Sequence, residues 1–234
     1  MIYNTLAGYY DCLVKDDEAT QDWVKWIGKY VSPCKTLELA CGSGEITEQL
    51  SEKGYQVTAL DLSAQMVEQA KAKDVEGKIE FFVQDMKDLS NFSSFDTILC
   101  LCDSFNYILS KEEISAFIKE VSEHLNENGY FLFDTHSLDR MSEFEEEWNE
   151  TGIFEDGCGY QWSISSEQDW LYQDFAFYLP NGEMIQEHHL QKIYDPAWLE
   201  EELRQYFEIV SVDTDFILPG IQEGEKYFYV LRKR

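Results

Sequence analysis

The chain has 234 residues and a formal net charge of −28, from 46 acidic and 18 basic side chains. This length suits one α/β domain, or one domain with an insertion, and excludes a peptide-sized binding module. Such an acidic surface repels phosphate backbones, and we therefore expect no nucleic acid as a partner. The sequence shows neither an apolar run of the roughly 18 residues that a membrane span needs nor a secretory signal, which predicts a cytoplasmic protein without a membrane partner.

The spacing of cysteine and histidine does not indicate a metal site. The six cysteines include no C-x-x-C pair, and the adjacent His188 and His189 have no cysteine near them. We therefore expect reduced thiols, no disulfide framework and no metal ion.

The first half of the chain alternates helices with strands. Apolar residues at helical spacing predict a helix over 21–31, and Ser63 is suited to cap a later one. Alternating, β-branched stretches predict the strands 35–40, 55–61, 78–85 and 95–102. Strands that alternate with helices in this way predict a parallel sheet with crossover helices.

The pattern continues with the clearest helix of the sequence. Ser110 and Glu113 form a capping box at its start, and Gly129 is suited to close it. A fifth strand is predicted over 130–136. Near the end of the chain, Asp195 and Pro196 suit the start of another helix, which two further strands follow. About seven strands are thus predicted in one sheet.

Between residues 137 and 194 the pattern changes. An acidic stretch over 139–150 is predicted to be helical, and short aromatic segments with turn signals follow it. Asn181 and Gly182 suit a tight hairpin turn, because both tolerate a positive φ. We therefore expect a small antiparallel β subdomain over 137–194 that covers a substrate pocket, inserted into a domain formed by 1–136 and 195–234.

The segment 37–47 reads LELACGSGEIT and joins a buried strand to a helix. Gly42 and Gly44 let ligand atoms approach the backbone at the carboxyl edge of the sheet, where open α/β folds bind ligands. Thr47 stands where a dinucleotide fingerprint has its third glycine. Glu45 at the helix N-terminus would repel a pyrophosphate. The turn therefore favours a ligand without phosphates.

Acidic residues follow the next two strands. Asp61 ends the second strand, where a carboxylate can accept both hydroxyl protons of a ribose. Asp85 after the third strand offers an acceptor for an amine, and Met86 offers an apolar cover, as an adenine requires. The order of these residues predicts an adenosine-like ligand.

These segments, continued by VQDM and FDTILCLCDSFNYI, resemble the class I S-adenosylmethionine-dependent methyltransferases. The resemblance covers residues 36–135 closely and the C-terminal helix and strands in outline. It implies an α/β, Rossmann-like sheet of seven strands whose last strand runs antiparallel. It also implies S-adenosylmethionine as cofactor and in-line transfer of its methyl group to a small-molecule substrate.

The resemblance also implies which residues contact the cofactor. The methionine side and the glycine loop correspond to Glu38, Ala40, Cys41, Gly42 and Gly44. The adenosine side corresponds to Asp61, Leu62, Met66, Asp85 and Met86, and the floor near the sulfonium to Leu101 and Cys102. The first residues are similar to a segment that closes over the cofactor in many small-molecule methyltransferases, which makes Tyr3 and Tyr10 candidate contacts.

Methyl transfer requires little chemistry from the side chains of the enzyme. The sulfonium is already an activated donor, and the enzyme mainly aligns the acceptor with it. Candidate bases, where the acceptor must lose a proton, follow the fourth and fifth strands: Asp103, Asn106, Tyr107 and His136. We expect Asp103 and His136 to be the catalytic ones. Candidate substrate contacts are Asn106, Tyr107 and His189, the last because neighbouring histidines on a strand point to opposite faces. The tetrapeptides typical of nucleobase and protein-glutamine amino methyltransferases are absent, which leaves the acceptor atom open.

Two other functions stay open at this stage. One is a methyltransferase-like protein that binds the cofactor without transferring its methyl group. The other is an NAD-dependent oxidoreductase, which Glu45 and Thr47 disfavour. A homodimer also stays open.

Overall fold

The computed structural model describes residues 6–234, with the side chains of residues 6, 10 and 14 outside the description. Two predicted cofactor contacts, Tyr3 and the side chain of Tyr10, therefore lie outside the described residues. None of the helices in the described range is long and apolar enough to cross a membrane.

Helices and strands alternate through most of the described chain. The helices are α1 (Leu6–Val14), α2 (Asp17–Tyr30), α3 (Glu45–Glu52), α4 (Ala64–Lys73), α5 (Lys111–Glu123), α6 (Asp139–Glu143) and α7 (Pro196–Leu203), with a 3-10 helix at Ser104–Tyr107. The strands are β1 (Lys35–Leu39), β2 (Gln56–Asp61), β3 (Glu80–Val83), β4 (Phe95–Cys100), β5 (Leu125–His136), β6 (Trp148–Ile153), β7 (Gly159–Glu167), β8 (Trp170–Tyr178), β9 (Met184–Lys192), β10 (Phe207–Thr214), β11 (Leu218–Pro219) and β12 (Lys226–Lys233).

The main sheet has the strand order β11-β10-β12-β5-β4-β1-β2-β3 within the described range. The first five strands of the chain run parallel, whereas β12 is antiparallel to both of its neighbours, β5 and β10. The predicted Rossmann-like sheet with an antiparallel last strand is confirmed. The eighth strand is the two-residue β11, which is too short to leave a periodic pattern in the sequence.

Apolar side chains cover both faces of this sheet. On one face, Phe117 of α5 and Leu199 of α7 belong to a cluster that includes Phe131. On the other face, Ile27 of α2 packs in a cluster that includes Val57. A parallel sheet covered on both faces leaves the carboxyl ends of its strands as the accessible edge.

The strands β6 to β9 form a separate antiparallel sheet, called here the inserted sheet. Its inner face stacks Phe175 on Trp162 and places Phe177 against Tyr9 of α1. The Tyr9 hydroxyl donates a hydrogen bond to Asp156 of the β6–β7 turn at 2.8 Å. Helix α1 therefore joins the inserted sheet to the rest of the protein.

Two local predictions were wrong, and the hairpin turn predicted at Asn181 and Gly182 is present but differs in detail. Helix α5 ends at Glu123, and Gly129 lies inside β5, where a Cβ would come within 3.0 Å of the Asp96 carbonyl oxygen. The acidic stretch is helical only in α6, because Trp148 already pairs in β6 and packs against Trp162. In the hairpin turn only Gly182 has a positive φ.

Candidate functional site

A cavity of about 460 Å³ opens at the carboxyl ends of the first four strands. Its volume lies in the range of small-molecule sites. Most of the predicted cofactor contacts line it, namely Glu38, Ala40, Cys41, Gly42, Asp61, Leu62, Met66, Asp85, Met86, Leu101 and Cys102. The sheet topology thus brings together residues that lie far apart in the sequence.

Asp61 closes the rim of the cavity at the end of β2. Its Oδ2 accepts a hydrogen bond from Gly42 N at 2.9 Å, and its Oδ1 accepts one from Ser63 N at 2.8 Å. The pKa of the Asp61 carboxyl group is raised above its ordinary value, because the effect of burial exceeds the opposite effect of these backbone donors. Each oxygen keeps a further lone pair that a ligand hydroxyl can use.

The two glycines of the turn differ in function. A Cβ on Gly42, whose φ is 54°, would meet nothing within 4 Å, so this glycine leaves open space at the cavity. A Cβ on Gly44, whose φ is 83°, would lie 2.8 Å from the Cβ of Ala70 in α4. Gly44 is not among the residues that line the cavity. A glycine is needed at this position because α4 packs against it.

The environment of Glu38 on β1 indicates which ligand charge the cavity suits. The side chain is 3% exposed, and its Oε2 has no hydrogen-bond partner among the described residues. Burial raises the pKa of Glu38 to about 7. A buried carboxyl group with one oxygen left without a partner fits a ligand that carries a sulfonium and an ammonium group, since either cation would stabilise the carboxylate.

Helices α1 and α2 and the turn between them form a further cavity wall, next to the segment that the resemblance implies will close over the cofactor, but the sequence analysis named none of the residues in it. Asp11, Lys15, Asp16, Ala19, Thr20 and Trp23 belong to it. Asp11 accepts a hydrogen bond from Ser43 Oγ at 2.6 Å and pairs with Lys73 of α4 at 2.7 Å. Trp23 lies at helical spacing within α2, a pattern that is also typical of core packing, so no sequence signal distinguished it.

The charge argument from Glu45 was incomplete. Glu45 pairs with Lys73 of α4 and, at 3.3 Å, with Lys15. Its charge is therefore compensated, and the case against a pyrophosphate depends on the carboxyl groups of Glu38 and Asp61 instead.

The two candidate bases lie behind the cavity wall in a buried polar network. Asp103 Oδ1 is 3.3 Å from His136 Nδ1, and Asp103 Oδ2 accepts a hydrogen bond from Lys226 Nζ at 2.8 Å. Lys226 also lies 3.4 Å from Asp134, which is fully buried. Among the described residues, neither Asp103 nor His136 lines the cavity, although their neighbour Cys102 does.

The ionisation of this network follows from burial and charge. Burial raises the pKa of Asp134 to about 7. Burial also opposes ionisation of Asp103, but His136 and Lys226 lower its pKa to about 2. Burial lowers the pKa of His136, and Gln191 Oε1 is 3.0 Å from its Nε2. We infer an ion pair between Lys226 and Asp103 beside a neutral imidazole.

The predicted substrate contacts divide into two groups. Asn106 is fully buried and donates hydrogen bonds to Thr135 Oγ1 at 2.9 Å and to the Lys192 carbonyl at 2.7 Å. It therefore connects the main sheet to β9. Tyr107 lines the cavity, as does His188, whereas His189 points the other way and lies behind Tyr107.

Within residues 6–234, no three His, Cys, Asp or Glu side chains come together as a metal site. A Rossmann-like sheet with a carboxylate at the end of β2 and a glycine turn after β1 is typical of proteins that bind a nucleoside at the strand ends.

Comparisons with known proteins are consistent with this class. Residues 36–129 match the family described as a methyltransferase domain. Over its whole length the chain is 34% identical to "Putative methyltransferase YqeM" of Bacillus subtilis, of which it covers 98%.

Solved structures show the same fold. An S-adenosylmethionine-dependent methyltransferase from Clostridium acetobutylicum is similar with a TM-score of 0.82 and 26% identity, over 99% of this chain and 98% of that one. The sugar N-methyltransferase KedS8 from Streptoalloteichus shares the fold with a TM-score of 0.78 at 18% identity, over 99% and 93% of the two chains. The chain belongs to the class I S-adenosylmethionine-dependent methyltransferases, and S-adenosylmethionine is its cofactor.

Proposed function

We propose that this methyltransferase acts on a small molecule that binds between the main sheet and the inserted sheet. This proposal rests on the residues that line the cavity. The cavity wall extends from Gly42 in the glycine turn to His188 and Leu190 on β9 of the inserted sheet. A site bounded in this way by the insertion suits an acceptor of limited size.

The charge of the protein supports the same conclusion. A net charge of −28 disfavours RNA and DNA as acceptors. The walls carry Glu38, Asp61 and Asp85, and within the described range no ion pair joins any of these three to a lysine or arginine. Such walls favour a cationic donor over an anionic one.

S-adenosylmethionine supplies an electrophilic methyl group on a sulfonium. The residues of the chain bind and orient: Asp61 accepts ribose hydroxyls, Asp85 and Met86 hold adenine, and Glu38 lies on the methionine side. Leu101 and Cys102 form the floor, and Tyr107 faces the acceptor. Asp103 and His136 hold the loop after β4 in place from behind, where Cys102 and Asp103 have φ values of 56° and 61°.

The acceptor class can be tested without knowing the acceptor. A cell extract is separated by size into a small-molecule fraction and a macromolecular fraction, and each is incubated with the enzyme and methyl-labelled S-adenosylmethionine. We expect label in a product of the small-molecule fraction. Label confined to the macromolecular fraction, or no label in either, would contradict the proposal.

A pair of variants locates the acceptor. Leu190→Trp fills the end of the cavity at β9 and should reduce turnover while the affinity for S-adenosylmethionine, measured by calorimetry, stays the same. Met184→Trp makes the same kind of change at an exposed position of β9 and should have no effect. Equal turnover in both variants would argue against an acceptor at β9. KedS8 is a sugar N-methyltransferase, so amines belong among the acceptors to screen.

A further inference from the structure

Tyr107, His189 and Glu187 form a chain of polar groups that leads from the cavity wall into the protein. Tyr107 lines the cavity. Its Oη lies 3.1 Å from His189 Nδ1, and His189 Nε2 lies 3.8 Å from Glu187 Oε2. His189 is 2% exposed and Glu187 is 8% exposed. A phenol at the cavity is thus backed by a buried imidazole and a buried carboxyl group.

The secondary structure fixes this arrangement. Tyr107 ends the 3-10 helix Ser104–Tyr107. This helix comes shortly after Leu101, which follows β4 and lines the cavity. Glu187 and His189 lie on the same face of β9, since they are two residues apart on a strand. The ring of Phe175 on β8 packs edge-on against the imidazole, with 5.4 Å between ring centroids.

The surroundings of His189 determine its tautomer. Among the described residues, the groups that face it include Tyr107 from the 3-10 helix, Glu187 and Gln191 on its own strand, and Gln173 and Phe175 on β8. The Glu187 carboxylate on the Nε2 side favours a proton on Nε2, which leaves Nδ1 to accept a hydrogen bond from the Tyr107 hydroxyl.

We propose that Tyr107 is the catalytic base that takes the proton from a hydroxyl or amine acceptor, with His189 and Glu187 as positioning residues behind it. This inference rests on the proposed function, because it places the acceptor at the Tyr107 end of the cavity. Among the candidate bases of the sequence it selects Tyr107 in place of Asp103 and His136. His136 already contacts Asp103 and Gln191 with its two ring nitrogens.

The proton transfer balances within these residues. As the acceptor heteroatom forms its bond to the methyl group, its bond to hydrogen breaks and that proton moves to Tyr107 Oη. The phenol proton moves along the existing hydrogen bond to His189 Nδ1. The positive charge lost by the sulfonium reappears on the imidazolium, where the Glu187 carboxylate stabilises it. The proton returns to solvent after the product leaves.

The hydrogen bond itself is tested by NMR of isotope-labelled histidine, since the chain has only four histidines. We expect His189 to carry its proton on Nε2 in the wild type. Tyr107→Phe should shift the Nδ1 resonance of His189, and the control Tyr160→Phe, which removes an exposed hydroxyl bonded to Glu150, should leave it unchanged. A proton on Nδ1, or no response to Tyr107→Phe, would overturn the proposal.

The proton transfer is tested with three probes: catechol, benzylamine and iodide, each with S-adenosylmethionine and with release of S-adenosylhomocysteine as the readout. Catechol and benzylamine must lose a proton, whereas iodide has none. Tyr107→Phe should lower kcat for catechol or benzylamine roughly 100-fold, in the range of general base catalysis, and leave iodide nearly unchanged. Equal losses on all probes would indicate a structural role and overturn the proposal.

Glu187→Gln supplies a pH readout that a structural role would not produce. The imidazolium loses its carboxylate neighbour in this variant, so the acidic limb of the kcat profile should move to lower pH while kcat falls. If the acidic limb of the kcat profile lies at the same pH in Glu187→Gln and in the wild type, the role of Glu187 is overturned. If the wild type binds the donor but methylates none of the probes, turnover is measured with the small-molecule fraction of the extract, and an unchanged rate in Tyr107→Phe would overturn the proposal.

Discussion

Asp61 Oδ2 accepts a hydrogen bond from the backbone N–H of Gly42 at 2.9 Å. The carboxylate at the end of β2 thereby fixes the glycine turn after β1, although the two residues are 19 positions apart. One side chain at the cavity rim thus combines a structural contact with a free lone pair for the ligand.

Asp61→Asn should weaken binding of S-adenosylmethionine roughly 10- to 100-fold, because a hydrogen bond to a charged group contributes about 1.5–3 kcal/mol. Calorimetric titration measures this affinity, with NAD and ATP as control ligands. Asp88→Asn changes a carboxylate in an exposed loop, bonded to Ser90, and should bind like the wild type. Unchanged affinity in Asp61→Asn would remove Asp61 from the site.

Gly44→Ala should lower the free energy of unfolding by about 2–4 kcal/mol, because it adds left-handed strain to an overlap with Ala70. Gly42→Ala adds only the strain, about 1 kcal/mol, since its Cβ would meet open space, and should instead weaken donor binding. Urea denaturation measures the stabilities. Ala70→Gly in the Gly44→Ala background should recover part of the loss. A Gly44→Ala protein as stable as Gly42→Ala would contradict the packing explanation.

The stability of the protein should depend on pH through Glu38. Burial raises the pKa of Glu38 from 4.5 to about 7, so the folded state keeps a proton that the unfolded chain has released. This group therefore makes the free energy of unfolding fall as pH rises from 4.5 towards 7. The loss reaches about 3 kcal/mol above that range.

Glu38→Gln removes this loss. We expect the variant to be more stable than the wild type at about pH 8 and similar to it at about pH 4, as measured by urea denaturation. Glu201→Gln, an exposed position on α7, controls for the loss of one surface charge. Parallel stability curves for wild type and Glu38→Gln would show that Glu38 is ionised in the folded protein.

Lys226→Met should lower the free energy of unfolding by about 3 kcal/mol, because it leaves the fully buried Asp134 and the partly buried Asp103 without their cation. Lys78→Met removes an exposed lysine that pairs with Glu76 and should change stability by less than about 0.5 kcal/mol. Asp134→Asn, added to Lys226→Met, should restore part of the stability. Equal effects of the two lysine variants would mean that the buried network does not stabilise the fold.

The sequence by itself determined the order of elements and the cofactor side of the site. Hydrophobic periodicity and the caps at Ser63 and Ser110 predicted the helices and strands, because those signals depend on neighbours along the chain. The positions of Asp61 and Asp85 at strand ends predicted one ligand edge, and the family resemblance added Glu38. Parallel strands bring their carboxyl ends to that edge in any such sheet, so this placement needs no further information.

Only the tertiary structure decided how distant residues meet. The contacts of Lys226 with Asp103, of Tyr9 with Asp156 and of Tyr107 with His189 join segments more than 80 residues apart. Two other expectations changed for the same reason. His136 is buried behind the cavity wall, and Gly44 is required by its packing against Ala70 and does not contact the cavity. These outcomes depend on the space between elements after folding, and the linear order of residues does not carry that information.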